Sequence, residues 1–259
     1  MEHSIYEFPE IFRRVHMEEP RDITEEVRFM RRVWRRHLKA PVRRALDLAC
    51  GNSPHGQLLA RTGIEVVGVD RSETMIEAGR WESQGLDGIR FYRRPIEKFR
   101  IPERPFDAAF FMSETFPVMT DNRDIISHLQ SVGRLLKRGG LYCIDIDRQD
   151  GMRATRTQVL WNRSLRIGDA KVRVRGVHHP MPWHSGIYSH FEILCSIDFP
   201  NRSVKTRDVV PIRYTLPCTI DLLAQASGMF EMIATYADLS MTKRLGDCYG
   251  RWWAVLRRV

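Results

Sequence analysis

A short apolar run, Ala45-Leu46-Asp47-Leu48-Ala49, ends near an acid and passes into Cys50-Gly51-Asn52-Ser53-Pro54-His55-Gly56. A strand that feeds a glycine-bearing loop and then a helix presents backbone N–H groups to a polar or anionic ligand. A second apolar run, Ile64 through Val69, ends in Asp70, a carboxylate placed to accept hydrogen bonds at a strand end. Two phosphate chemistries are weakened by spacing. A dinucleotide loop would read G-x-G-x-x-G, whereas Gly51 and Gly56 are separated by Asn-Ser-Pro-His. A P-loop would follow its second glycine with lysine and a hydroxyl, where this chain has Gln57 and Leu58. His178, His179 and His184 could titrate near neutrality and serve as a base, or could be ordinary polar strand and turn residues. A shared metal site is not expected, because adjacent strand residues point to opposite faces.

The elements that would position these residues alternate. After a helix whose apolar stripe is Val27, Met30, Trp34 and Leu38, with Asp22 at its start, residues 43–49 read as a strand and 56–62 as a helix. Strands are expected at 64–70, 88–94, 106–112 and 141–147. Helices are expected at 73–80 and from Asp121 to the Gly139-Gly140 pair. Such alternation implies a parallel sheet covered on both faces. Between 155 and 214 come four strand-like runs separated by Gly168-Asp169, Pro180/Pro182 and Pro200-Asn201, as in an antiparallel meander. A helix and two strands complete the chain. The expected fold is α/β: a Rossmann-like, mainly parallel seven-stranded sheet with helices on both faces, plus a late antiparallel β insert. The expected division is a helical N-terminal cap or lid over 1–43, a core over 44–154, an insert over 155–214 that binds substrate, and completion of the core by 215–259.

"DLACGNSPHG" resembles motif I of the class I S-adenosylmethionine-dependent methyltransferases, commonly D-L-G/A-C-G-T-G. "VVGVDRSETMIEAGR", "RPFDAAFFMSETFPVM" and "LQSVGRLLKRGGLYCIDID" are similar to that family's later elements, in order, across residues 44–147. The resemblance implies S-adenosyl-L-methionine as cofactor. Asp70 would accept from both ribose hydroxyls, and Gly51 would let the backbone approach the methionine part, where a Cβ would clash. Asp47 would orient the loop. Ala49 and Ser53 replace family glycines. Pro95 stands where many relatives place an adenine-binding aspartate, so adenine recognition would fall to the backbone N–H of Ile96 or Glu97, with packing from Ile96 and Met75. Arg71 and Met112 would be further cofactor-binding residues.

The late insert and the Tyr6-Glu7-Phe8 segment resemble bacterial small-molecule methyltransferases, including aminosugar N-methyltransferases and glycine N-methyltransferase-like enzymes. In that group Tyr6 would be a lid residue near the reacting center, and Arg21 or Arg28 a partner for the cofactor carboxylate, although Arg28 also reads as a solvated arginine. Candidate bases are Glu114, just past the fourth strand, and the insert histidines, foremost His178 and His179. Trp161, Trp183, Tyr188 and Phe191 could line an acceptor pocket or simply pack the core. The expected function is methyl transfer to a small-molecule nitrogen, oxygen or electron-rich carbon, in bacterial secondary metabolism.

The alternative is an RNA methyltransferase using the basic N-terminal surface. The chain has 259 residues and a formal net charge of +9. Much of the excess lies in "RFMRRVWRRHLKAPVRR", where the arginines fall mostly opposite the apolar stripe, as on a solvated helix face. "SETF" stands where an N/D-P-P-Y/F motif would, and nucleic acid is not the expected partner. Five cysteines form no C-x-x-C pair, and reduced thiols in a cytoplasmic protein are the economical reading. No membrane association and no metal are expected; a homo-oligomer is allowed.

Overall fold

The computed structural model describes residues 3–18, 21–113, 115–146, 156–181, 188–243 and 251–259. The chain divides into two compact units, one of Met1–Arg21 with Gln149–Tyr214, the other of Asp22–Arg148 with Thr215–Val259. The expected N-terminal cap is thus split: the first 21 residues group with the antiparallel sheet, and the helix after Asp22 groups with the parallel one.

The larger unit is built from β1 (Arg44–Leu48), β2 (Glu65–Asp70), β3 (Ile89–Arg93), β4 (Phe106–Phe111), β5 (Leu136–Ile146) and two late strands, β10 (Phe230–Ala237) and β11 (Trp252–Arg258). Their order is β10-β11-β5-β4-β1-β2-β3, and only β11 runs antiparallel to its neighbors. The chain starts in the middle, moves outward to β3, then returns to β4 on the other side of β1. That reversal between β1 and β4 leaves a crevice at the carboxyl ends of the strands.

Both faces of this sheet are apolar, as a covered parallel sheet requires. Leu46, Leu48, Val67, Val69, Phe111 and Tyr142 pack with Ile125 and Leu129 of α5 (Asn122–Leu135) and Ile220 and Leu223 of α6 (Pro217–Ser227). Ala45, Val66, Phe110, Cys143 and Trp253 pack with α2 (Ile23–His37) and with Leu59 of α3 (Pro54–Ala60). Burying each large side chain contributes roughly 1.5–3 kcal/mol. The stripe on α2 is wider than Val27, Met30 and Trp34: Phe29, Val33 and the carboxylate Glu26 are buried too. Asp22 caps this helix through the Glu25 N–H at 2.9 Å.

Two element boundaries differ from expectation. Helix α3 begins at Pro54 rather than Gly56, because Pro54 occupies the first helical turn and its fixed φ suits that position. Helix α5 ends at Leu135, and the next residue is already extended and paired with Phe106 in β5. Gly140 therefore lies inside a strand, where a Cβ would press on the carbonyl oxygens of Lys137 and Asp107 at 2.9 and 3.0 Å.

The smaller unit is a four-stranded antiparallel meander: β6 (Gln158–Ile167), β7 (Ala170–Pro180), β8 (Tyr188–Phe199) and β9 (Arg202–Arg213). One face carries Val172, Val174, Ile193, Cys195 and Ile197, which pack against Ile5, Ile11 and Val15 of the N-terminal segment. That segment contains a single turn at Ile5–Glu7, α1 (Pro9–Phe12) and a π-turn at Arg13–Glu18. Ser4 and Glu7 form a capping box, and Asp208 on β9 accepts from Ser4 Oγ at 2.6 Å and from the Ile5 N–H at 2.9 Å. Among the described residues no helix is long and apolar enough to cross a membrane.

Candidate active site

The loop after β1 reverses the chain tightly. Ala49, Gly51 and Ser53 all have positive φ, at 49°, 55° and 58°. For the two non-glycine residues that conformation costs on the order of 1–3 kcal/mol each and persists only where the surroundings impose it. The imposing contacts are visible. The Cys50 N–H donates to the Val69 carbonyl at 3.1 Å, the Ser53 N–H to the Cys50 carbonyl at 2.7 Å, and Ser53 Oγ to Asp47 Oδ2 at 2.7 Å. Asn52, almost fully buried, donates through Nδ2 to Glu82 of α4 (Glu73–Glu82) at 2.8 Å, while Gln57 Nε2 donates to the Asn52 carbonyl at 2.9 Å.

Asp70 closes the other side. Its two oxygens accept from the Gly51 N–H and the Ser72 N–H, both at 2.8 Å. Each carboxylate oxygen keeps further acceptor capacity, which a vicinal diol could use. Burial raises the pKa of Asp70, opposed by those two backbone donors. Burial also pushes Asp47 up to about 8; the Ser53 hydroxyl opposes the shift and the Asp70 charge adds to it. Two adjacent carboxyls thus differ in role: Asp47 sits beneath the loop, and Asp70, half-buried, meets its open side.

The remaining predicted cofactor residues fall as follows. A Cβ on Gly51 would press on the Met75 methyl at 3.1 Å, so Met75, buried at 1% exposure, supports the loop from below. Arg71 is exposed, Met112 is buried at the end of β4, Pro95 is exposed, and Ile96 and Glu97 are half-buried in the turn after β3. That turn is held by His128, whose Nδ1 lies 2.7 Å from the Ile96 carbonyl and whose Nε2 lies 2.7 Å from Tyr142 Oη. Burial pulls His128 down to about 4, so it is neutral and donates to Ile96 while accepting from Tyr142.

A buried ionic chain that the motif reading missed runs along the carboxyl edge of the same sheet. His55 Nε2 lies 2.6 Å from Glu26 Oε2, and Arg251 donates to Glu26 Oε1 at 2.7 Å. Arg251 also grips Asp145, at the end of β5, with two hydrogen bonds of 2.6 and 2.8 Å. Asp145 in turn accepts from the N–H of Ser113 at 3.1 Å, a residue at φ 62° just past β4. Glu26, His55 and Asp145 are at most 2% exposed. The sequence signal was faint: a glutamate on an otherwise apolar helix stripe, and an aspartate inside an apolar strand.

Of the acceptor-side candidates, Glu114, Trp183 and His184 lie outside the described residues. His178 and His179 point to opposite faces of β7. His178 is 3% exposed, neither ring nitrogen has a hydrogen-bond partner among the described residues, and burial lowers its pKa. His179 pairs with Glu192 at 2.9 Å. Trp161 and Phe191 pack as tilted rings 5.7 Å apart over Gly176, within the apolar layer of the smaller unit. Tyr6 is 37% exposed and stacks on Phe12 at 4.8 Å. Arg28 is solvated and only loosely paired, 3.7 Å from Glu25.

Residues 45–140 match the family model described as "Methyltransferase domain". A Bacillus subtilis protein named "Putative methyltransferase YqeM" is 30% identical over 103 residues, 40% of this chain and 42% of that one. The chain therefore spans less than half the length of this curated relative. Two solved structures superimpose with a TM-score of 0.77. One is an S-adenosylmethionine-dependent methyltransferase from Clostridium acetobutylicum, 16% identical, covering 96% of this chain and 97% of that one. The other is the sugar N-methyltransferase KedS8 from a Streptoalloteichus species, 19% identical, covering 96% and 93%. At those identities the likeness is one of fold, and the family match rests on the core that carries Asp47, Gly51 and Asp70. By that match, residues 45–140 form a methyltransferase domain.

Proposed function

We propose that the protein methylates a small-molecule acceptor, using S-adenosyl-L-methionine. The observation that carries this reading is the Asp70–Gly51 junction: a half-buried carboxylate with spare acceptor capacity, hydrogen-bonded to the backbone of a positive-φ glycine. When bound, the cofactor supplies a methyl group on a positively charged sulfur, open to in-line attack by a lone pair. The work of this chain's residues is to bind, orient and exclude water, which suffices when the leaving group departs neutral. Asp70 would accept the ribose hydroxyls. The Gly51 region would receive the amino-acid end, with Asp47 and Ser53 fixing the loop. The turn held by His128 would present the backbone at Ile96 and Glu97 to the adenine, with Met112 and Arg71 flanking.

A sugar amine is the acceptor class we favor, supported by the likeness to KedS8. An amine that arrives protonated must lose a proton, and His178 is suited to take it, because burial favors its neutral imidazole. His179, tied to Glu192, would be secondary, as would Glu114 and Tyr6. We assign the reaction to bacterial secondary metabolism in the cytoplasm. The test is methyl uptake from labeled cofactor by a panel of aminosugars, phenols and indoles. Turnover of aminosugars, reduced at least tenfold by His178→Gln, supports the assignment; labeling of RNA with no small molecule accepted overturns it.

A further inference from the structure

The face of the smaller unit's sheet opposite Ile193, Cys195 and Ile197 is strongly cationic. Register places Arg173 beside Ser196 and Lys205 in one cross-strand row, and Arg175 beside Leu194 and Arg207 in the next. Lys171 and Asp198 begin the row before them, with Arg166 on β6. Six cations thus share a face with two acids, Asp198 and Glu192. Those acids pair with Arg173 at 3.0 Å and Arg207 at 2.7 Å. No acidic partner within ion-pair distance is found for Arg166, Lys171, Arg175 or Lys205 among the described residues.

A solvated sheet face usually mixes signs, which makes it soluble without building a field; here the unpaired charges add. The cations of β7 and β9 form two columns about 10 Å apart, with β8 as the floor between them, and within a column they repeat every ~7 Å. Leu194 and Ser196 line that floor, and the open depression has a volume of about 350 Å³. Its size is at the lower end of small-ligand sites. Arg173, Arg175, Lys205 and Arg207 wall it, and side chains of this kind can pack their aliphatic stems while keeping the charge in water. Guanidinium planes bind phosphate bidentately and also stack on flat rings.

We propose that this depression binds a small molecule carrying two or more phosphates on a flat or apolar body, of the nucleoside diphosphate class. The phosphates meet Arg175, Lys205 and Arg207 at the rim, and the body lies over Leu194. This site belongs to the smaller unit alone and does not depend on the methyl-transfer reading.

Calorimetry on the full chain at low salt, with S-adenosylhomocysteine present to occupy the cofactor loop, tests it. Guanosine diphosphate is expected to bind, inorganic pyrophosphate more weakly, and guanosine not at all. The exposed pair Arg175→Ala and Lys205→Ala, made together, should weaken guanosine diphosphate at least tenfold and leave S-adenosylmethionine binding unchanged. Absence of guanosine diphosphate binding, or equal binding by the double variant, overturns the proposal. Pyrophosphate binding as tightly as the nucleotide removes the role of the Leu194 floor and overturns the ligand class. So does a short RNA that binds more than tenfold tighter than the nucleotide.

Discussion

At the scale of single residues, Asp47 is the most informative. Its folded pKa of about 8 lies above the ordinary 3.8, so the folded protein holds a proton there that the unfolded chain gives up. Between those limits stability falls as pH rises, by up to about 1.4 kcal/mol per pH unit for one group fully shifted. The amide in Asp47→Asn keeps an acceptor for Ser53 Oγ and carries no titration. We predict that this variant gains stability over the native protein as pH rises from 5 to 8, with little difference near pH 4. Urea unfolding at several pH values checks it; parallel stability profiles for the two proteins would show Asp47 to be ordinarily ionized. Motif spacing made Asp47, Gly51 and Asp70 legible, because a strand end followed by a tight loop permits few residue types. His128 was not legible: a histidine within an amphipathic helix carries no sign that it will reach the carbonyl of Ile96.

At the scale of elements, the ionic chain from His55 through Glu26 and Arg251 to Asp145 joins α3, α2, the residue before β11 and the end of β5. Removing one partner leaves buried charge uncompensated, at a cost of about 3–5 kcal/mol. Arg251→Met should lower unfolding stability by that amount. It should also loosen the turn at Ser113, seen as faster amide exchange at Ser113 and Thr115. A loss under 1 kcal/mol would mean that water, not protein, already satisfies these groups.

Gly176 is a second element-scale case. A Cβ there would overlap the Trp161 ring and press on Phe191, so Gly176→Ala should destabilize the β6–β7–β8 meander by roughly 1–3 kcal/mol. Proteolysis focused on residues 156–213 reads this out; unchanged resistance would contradict it. Periodicity and turn residues revealed every strand of both sheets. The α5–β5 junction escaped because Leu135-Leu136 continues the helical apolar pattern, while the pairing of Leu136 with Phe106, which decides the matter, is a long-range contact.

At the scale of the whole molecule, the alternation of strands and helices disclosed the seven-stranded sheet, and the break in texture after residue 155 disclosed the meander. The grouping of the first 21 residues with that meander was not legible, since it depends on Asp208 capturing Ser4 and Ile5 across some 200 residues. The basic excess noted along α2 was only part of the charge pattern, because the alternation of β7 and β9 aligns further cations on one sheet face.

The central claim is that the loop between β1 and α3, with Asp70, holds S-adenosylmethionine. Isothermal titration with S-adenosylmethionine, S-adenosylhomocysteine and NAD, on the native chain and on Asp70→Ala, tests it most directly. The account predicts micromolar binding of the first two and none of NAD. It also predicts at least a tenfold loss in the variant, since hydrogen bonds to a charged acceptor contribute about 1.5–3 kcal/mol. Binding of NAD instead, or cofactor binding indifferent to Asp70, would contradict it.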